Sequence, residues 1–387
     1  MLRSRPSLLV RLIDLKKTER RILVSAKLFL GQASNYKAKD VLRHIFAVSS
    51  KRWSNILIGR LKERYEAESV YLMSNGRSAI AAALKTLLPD RGGVIINGFT
   101  CYAVLQAVKY AGCTPIYADI NEKTLNFDVK TLEKALKNHP EAKAIIIQNT
   151  LGIRVNIAEI EAFAKRHGLK IVEDLAHSTG LKYLDGREVG SVGDAAALSF
   201  GKGKSLDTTT GGALVLKNKT FNFKNKRPKL RETLRARWYP LLGAIGRGFS
   251  TAHLGKFWYG PLIRLHLIER AVDAKIDLTR RPAYWQAKLA ARQIAQNDKR
   301  GAIPIRTHRL VRDRGKLIEK LDKNGYDFRE IWYDVPVSPI RYYKSLNFPE
   351  KECPVATKVA SEIINIPTYY KKEKLEKAFK IIEEFEK

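Results

Sequence analysis

The stretch AAALSFGKGKSLDTTTGGALVL, residues 195–216, holds two lysines in a turn of Ser, Gly and Thr between two apolar runs. The runs AAALSF and GALVLKN read as strands. A lysine in such a turn is ordinarily a solvated surface group. Two phosphate-binding readings of the turn fail on spacing. GKS at 203–205 resembles the end of a P-loop, but Leu198 stands where that motif needs glycine. GKGKSL would be a dinucleotide fingerprint only with glycine at 206, where Leu206 stands. The remaining reading is that one of the two lysines is a point of covalent attachment.

Composition sets the frame. The 387 residues are 45% hydrophobic and 28% charged, which suits a soluble globular chain with one large core and a smaller domain. The net charge of +32 favours anionic partners: nucleic acid, anionic lipid headgroups or phosphorylated small molecules. A lysine-rich surface without a special role would give the same charge. Cys101, Cys113 and Cys353 are odd in number and lack CxxC spacing. They argue against a disulfide framework or structural zinc and point to a reducing, cytoplasmic setting. The N-terminus MLRSRPSLLVRLIDLKK lacks a long apolar region and a cleavage site, so no signal peptide is expected. No run reaches the ~18 apolar residues of a spanning helix.

Along the chain, residues 1–68 read as a basic helical segment. Residues 69–220 alternate strands and helices: VYLMSNGRSAIAAALKTLL, GGVIINGF, AVLQAVKYAG, TPIYADI, DVKTLEKALKNH, AKAIIIQNT, NIAEIEAFAKRHG, LKIVEDLA and then the opening stretch. Such alternation predicts an α/β domain with a mostly parallel central sheet and helices on both faces. Ligands of such sheets bind beyond the carboxyl ends of the strands. Residues 221–280 form a basic, aromatic insertion. Residues 281–387 open on a long helix and continue as a small C-terminal α+β domain.

Several separate pieces meet at those strand ends. VEDLAH puts Asp174 at the end of one strand, with His177 just after it. GDAAALSF puts Ser199 at the end of another, and Lys204 follows. SNGRSAI supplies a helix N-terminus. A lysine amine, an aspartate for a ring nitrogen, and a helix N-terminus with small hydroxyls for a phosphate make up the parts of a pyridoxal 5'-phosphate site.

At this point the sequence resembles the DegT/DnrJ/EryC1/StrS family of sugar aminotransferases, which have the fold type I pyridoxal-phosphate architecture. The family's S-F-x-x-x-K-x-L-x-x-x-x-G-G is here Ser199-Phe200, Lys204-Ser205-Leu206 and Gly211-Gly212. Its E-D-x-A-H/Q is Glu173-Asp174-Leu175-Ala176-His177, and its S-N-G-T-x-A is Ser74-Asn75-Gly76-Arg77-Ser78-Ala79. The likeness covers about residues 70–217 well and the C-terminal third, through CPVATKVASEIINIP, more weakly. It implies that Lys204, not Lys202, carries the cofactor. It further implies that Asp174 pairs with the pyridine nitrogen, His177 bonds the phenolic oxygen, and Ser199, Gly76 and Arg77 hold the phosphate. Lys202 is expected to help lower the pKa of Lys204. The implied reaction moves an amino group from glutamate or glutamine to a keto-sugar, nucleotide- or lipid-linked, in a homodimer. The family's sugar dehydratases carry histidine in place of the lysine, so Lys204 favours transamination. The alternative is a degenerate relative that binds the cofactor but acts as an anionic-surface binder.

The chain departs from the family pattern in three places. Arg77 replaces the usual threonine; an arginine can itself bind phosphate. The ring-stacking aromatic that usually follows the threonine is missing from NGFTCY, so either Tyr102 stacks from a shifted register, the favoured reading, or Cys101 covers the ring. The family's G-x-N-x-R segment, which reaches the neighbouring subunit's site, gives way to KIDLTRRPAYWQ, with Arg280 and Arg281 as stand-ins. Residues 228–270 mix Arg and Lys with Trp238, Tyr239, Phe249, Phe257, Trp258 and Tyr259. Three readings stay open for them: packing on the domain or a dimer partner, rest on an anionic bilayer, or nucleic-acid binding. No nucleic-acid module is recognisable.

Overall fold

Among the described residues, seven strands build the central sheet: β1 (Ser69–Met73), β2 (Gly93–Asn97), β3 (Thr114–Ala118), β4 (Ala142–Ile147), β5 (Lys170–Asp174), β6 (Ala195–Ser199) and β7 (Gly212–Leu216). All five residues of β2 and of β7 are buried, because a strand covered on both faces cannot alternate apolar with polar. Their order across the sheet is β1-β7-β6-β5-β4-β2-β3. Of these seven, only β7 runs antiparallel to its neighbours. The computed structural model describes residues 27–29, 36–48, 50–251, 254–328 and 331–386. The helix expected over residues 1–68 therefore lies largely outside them up to residue 35.

Helices flank or extend this sheet: α1 (Ala38–Ile45), α2 (Lys51–Arg64), α3 (Gly76–Leu87), α4 (Tyr102–Tyr110), α5 (Val129–Asn138), α6 (Ile157–Arg166), α7 (Leu230–Thr251), α8 (Gly255–Arg264) and α9 (Tyr284–Arg300). Successive strand residues feed opposite layers, as the period of two requires. Ile95, Ile145 and Ile147 pack with Leu57 and Leu61 of α2, Ile160 and Phe163 of α6, and Ala287 and Ala291 of α9. Val94, Ile96 and Ile146 pack on the other side, with Ala79–Leu84 of α3 and Val104–Val108 of α4. Glycines at 112 and 168 turn the chain with φ of +82° and +65° after α4 and α6, where a side chain would be strained.

The C-terminal unit has its own core, built on α10 (Arg314–Lys323), α11 (Pro354–Glu362) and α12 (Glu376–Glu383). An antiparallel pair, Arg306–Leu310 with Ile363–Pro367, completes it. Two short parallel ladders tie it to the rest. Leu28–Phe29 pairs with Tyr326–Asp327, and Thr100–Cys101 pairs with Val337–Ser338. The cores do not break at residues 68 and 281, because α2 and α9 both cover the large sheet.

Candidate active site

The carboxyl ends of β1, β5 and β6 converge. Met73, Gly212 and Ser199 lie level across three strands, and α3 starts directly above them, capped by Asn75, whose side chain accepts from the Ser78 N–H at 2.9 Å. Glycine is required at this junction. A Cβ on Gly76 would sit 2.7 Å from the Ser199 Cβ, and one on Gly212 would sit 2.8 Å from the Gly76 nitrogen. The result is a cradle of helix N-terminal N–H groups beside a serine hydroxyl, the arrangement that receives a phosphate.

Asp174 ends β5 and is 6% exposed. Its carboxylate accepts one main-chain N–H, from Ala176 at 3.0 Å. Burial pushes its pKa up to about 6, against the opposing pull of the Ala176 N–H and of Lys204. A buried carboxylate with so little compensation suits a protonated ring nitrogen as its missing partner. The preceding Glu173 is structural. It accepts from Tyr183, Gly190, Val192 and Gly193 at 2.7–2.8 Å and pins the loop after β5.

Lys204 and His177 meet: Nζ lies 2.9 Å from Nε2. The other ring nitrogen, Nδ1, accepts the Leu151 N–H at 3.1 Å. That bond fixes the tautomer. Burial, with Lys204 and Arg306 nearby, holds the imidazole pKa well below its usual value, so the ring is neutral and its proton sits on Nε2. An Nε2–H can only donate to the lysine if the lysine is an uncharged amine. The lysine is shifted toward that form: burial lowers its pKa, Arg77 and Arg306 add to the effect, and Cys101 and Asp174 oppose it. Lys202, expected to contribute, points elsewhere. Its ammonium lies over the Tyr239 ring at 3.7 Å and donates to the Glu269 carbonyl at 2.5 Å. Asp207 shapes the turn itself, accepting from the main-chain N–H groups of Gly203 and Thr209 and from the Tyr36 hydroxyl.

Two other expected ligands are placed differently. The Arg77 guanidinium is buried and donates to Gln106 at 2.6 Å and to the carbonyls of Ala271, Val272 and Ala274 at 2.5–2.8 Å. It ties down the 271–274 segment, which leaves only its main-chain N–H for the cradle. The Tyr102 ring, favoured for stacking on the cofactor, is stacked instead on Tyr342, with centroids 4.2 Å apart and planes 8° from parallel. In that turn it is Cys101 that lies within electrostatic reach of Lys204, Arg77 and Tyr333. Arg280 is held by Asp277 and the Arg227 carbonyl, and Arg281 by the Pro282 carbonyl and the Tyr284 face.

The C-terminal unit adds a wall that the sequence did not announce. Trp332 stacks on His177, with centroids 5.1 Å apart, and its ring lies 4.9 Å from the Lys204 amine and 4.7 Å from the Arg306 guanidinium. Tyr333 meets His177 edge-on. Asn365 anchors this wall, accepting the Trp332 N–H and donating to its carbonyl. A cavity of about 370 Å³ opens beside the lysine turn, lined in part by Tyr36, Asp40, Lys204, Gln293, Arg306 and Tyr369.

A family model described as the DegT/DnrJ/EryC1/StrS aminotransferase family matches residues 50–233. Over those residues the chain is similar to the DegT/DnrJ/EryC1/StrS aminotransferase family. The matched segment contains every sheet-borne part of the site. A UDP-N-acetyl-3-dehydro-alpha-D-glucosamine 3-aminotransferase of Acidithiobacillus ferrooxidans is 33% identical over 37% of this chain and 38% of its own length. The GDP-perosamine synthase of Escherichia coli O157:H7 is 33% identical over 42% of this chain and 44% of its own. The chain thus matches about four-tenths of the length of these relatives. A dTDP-3-amino-3,4,6-trideoxy-alpha-D-glucose transaminase of Micromonospora megalomicea is 26% identical over 85% of this chain and 89% of its own. Among solved structures, a DegT/DnrJ/EryC1/StrS aminotransferase from Brucella abortus superposes with a TM-score of 0.62, covering 96% of this chain and 98% of that one at 21% identity. The α/β fold expected from the resemblance is therefore the observed one.

Proposed function

We propose that the protein is a member of the DegT/DnrJ/EryC1/StrS family and a pyridoxal-phosphate-dependent aminotransferase, moving an amino group from glutamate or glutamine to a keto-sugar on a nucleoside diphosphate or lipid carrier. The observation that carries this reading is the buried Lys204 amine 2.9 Å from His177 Nε2, its pKa lowered by burial, beside a buried Asp174 short of partners. The residues fit the cofactor. Asp174 would pair with its ring nitrogen, and His177 would turn its Nε2–H to the phenolic oxygen. The α3 N-terminus and Ser199 would hold its phosphate, and Lys204 would tether it. When bound, the cofactor supplies an electron sink that draws charge from the α-carbon of the amino donor.

The chain's own contribution follows from the geometry. Burial shifts the Lys204 Nζ toward its free-base form, and this amine takes the proton from the donor's α-carbon. Trp332 and Tyr333 wall off the amine from water on the C-terminal side. The cavity beside the turn, with Asp40, Gln293, Asn297 and Arg306 in its lining, offers hydrogen-bonding groups to a substrate rich in hydroxyls. The relatives' names, which carry GDP-, UDP- and dTDP-linked compounds, support a nucleotide-linked acceptor. We also propose a cytoplasmic homodimer in peripheral contact with an anionic bilayer. No described helix is long and apolar enough to cross a membrane.

The decisive measurement is an absorbance spectrum of purified protein supplied with the cofactor. Expected is a chromophore that borohydride fixes to Lys204 and that glutamate or glutamine converts to the aminated form. Protein that takes up no chromophore would sink this reading and favour the anionic-surface alternative.

A further inference from the structure

Helices α7 and α8 form a hairpin set apart from the sheet. They close on Gly246, which faces the Tyr259 ring and leaves no room for a Cβ there. Phe249 stacks on Trp258 at 5.0 Å, and the Trp258 indole N–H donates to the Leu242 carbonyl. The inner side of α7 is buried at Ala236, Pro240, Gly243 and Gly246. The outer side should then be polar, but it is not. Leu230, Leu234, Trp238, Ile245 and Phe249 are 39–74% exposed. Their spacings of 4, 4, 7 and 4 residues place them in one arc about 100° wide. Leu265, just after α8, is 64% exposed. Beside α7, whose Arg237 donates to the Ile45 and Ala47 carbonyls, α1 and its exit expose Leu42, Phe46 and Val48 at 55–73%.

The charge of the hairpin is one-sided. Residues 233–268 contain no Asp or Glu, and Arg231, Arg264 and Arg270 are exposed around the apolar arc. We infer that this outer face of the α7–α8 hairpin is the surface on which the protein docks to an anionic phospholipid bilayer. Leu and Ile side chains with Trp238 enter the headgroup–acyl boundary, and the flanking arginines meet lipid phosphates. An aliphatic arc of this size gains nothing from a nucleic-acid backbone. A second copy meeting this face across a two-fold axis would set Arg231, Arg264 and Arg270 against their own copies, so the proposed homodimer uses another face. A bilayer supplies both the apolar and the anionic complement, and shallow attachment requires both. Docking of this kind goes beyond the aminotransferase reading and is read out separately from it.

The test is flotation of the full chain with phosphatidylcholine vesicles, with and without phosphatidylglycerol. Expected is co-flotation with the anionic vesicles only, weakened by salt. The double variant Trp238→Ser/Leu265→Ser should lower the bound fraction about tenfold or more while keeping the melting temperature and the glutamate-responsive spectrum. Arg231→Glu/Arg264→Glu should abolish the preference for anionic lipid. The inference is overturned if the wild type fails to float, or if the double variant floats as well as the wild type. It is equally overturned if the double variant changes only the sedimentation state, which would make the face a contact between copies. Loss of flotation on removal of residues 1–26, with none in the double variant, would also overturn it. A colourless protein that still floats would sink the aminotransferase reading and leave this one standing.

Discussion

The two walls of the site contrast. The sheet wall, with Asp174, His177, Ser199 and Lys204, comes from a single run of 31 residues that ends two strands and turns after them. The C-terminal wall, with Arg306, Trp332 and Tyr333, comes from a unit with a separate core and reaches the amine through Trp332, which stacks on His177 and lies 4.9 Å from the Lys204 Nζ. The sheet wall holds groups whose protonation states matter to the chemistry. The C-terminal wall adds burial and, through Arg306, part of the positive charge that lower the Lys204 pKa; Arg77 of α3 supplies the rest of that charge. Chemistry and its tuning are thus split between segments far apart in the chain.

Substitutions can break or sharpen this contrast. The largest effect should be Lys204→Ala, which removes tether and base together. Turnover should fall at least ~10³-fold with the fold intact, as read by single-turnover assay and circular dichroism. A variant retaining a tenth of the activity would break the assignment of the sheet wall.

Asp174→Asn should act in two opposite directions. It should weaken cofactor binding, measured by titration of absorbance, and stabilise the cofactor-free protein. The sign follows from the raised pKa of about 6 against an ordinary 3.8. The cost of burying the charge is absent below about pH 4 and fully present above about pH 6. Apo wild type should therefore lose about 3 kcal/mol of stability between those limits, and the Asn variant should not lose it. Equal pH dependence in both proteins would show that the carboxylate is not the source.

Arg77→Ala should cost ~3 kcal/mol by denaturant unfolding, because it leaves the buried site of the guanidinium empty and strips charged donors from Gln106 and three part-buried carbonyls. If Arg77 instead held the phosphate through its side chain, the loss would fall on cofactor affinity with stability unchanged. Trp332→Ala should raise the pH at which the Lys204 amine titrates spectroscopically and cut turnover several-fold, while Trp332→Phe keeps most of both. A Trp332→Ala protein with an unmoved titration would leave the C-terminal wall without a tuning role.

The smallest effect should be that of Arg280→Ala, below ~1 kcal/mol, since its ion pair with Asp277 is part-exposed. A large loss of turnover in this variant would place the arginine in a neighbouring subunit's site.

The sequence by itself determined the seven strands and the helices between them, because burial on both faces leaves a run of Val, Ile, Leu and Ala no other use. It also determined that an aspartate, a histidine, a serine and a lysine gather at one edge, since each closes a strand or follows one by a few residues; that the lysine is Lys204 and not Lys202 was implied by the family resemblance. Only the tertiary structure decided what depends on contacts between distant segments. Arg77 is spent on carbonyls nearly 200 residues away, and Tyr102 is stacked on Tyr342. Trp332 lies against His177, and one long face of α7 is left apolar and outward. Local periodicity shows that a helix has an apolar face. Which way that face points depends on the packing of its other side, and the residues it packs on are not its neighbours in sequence.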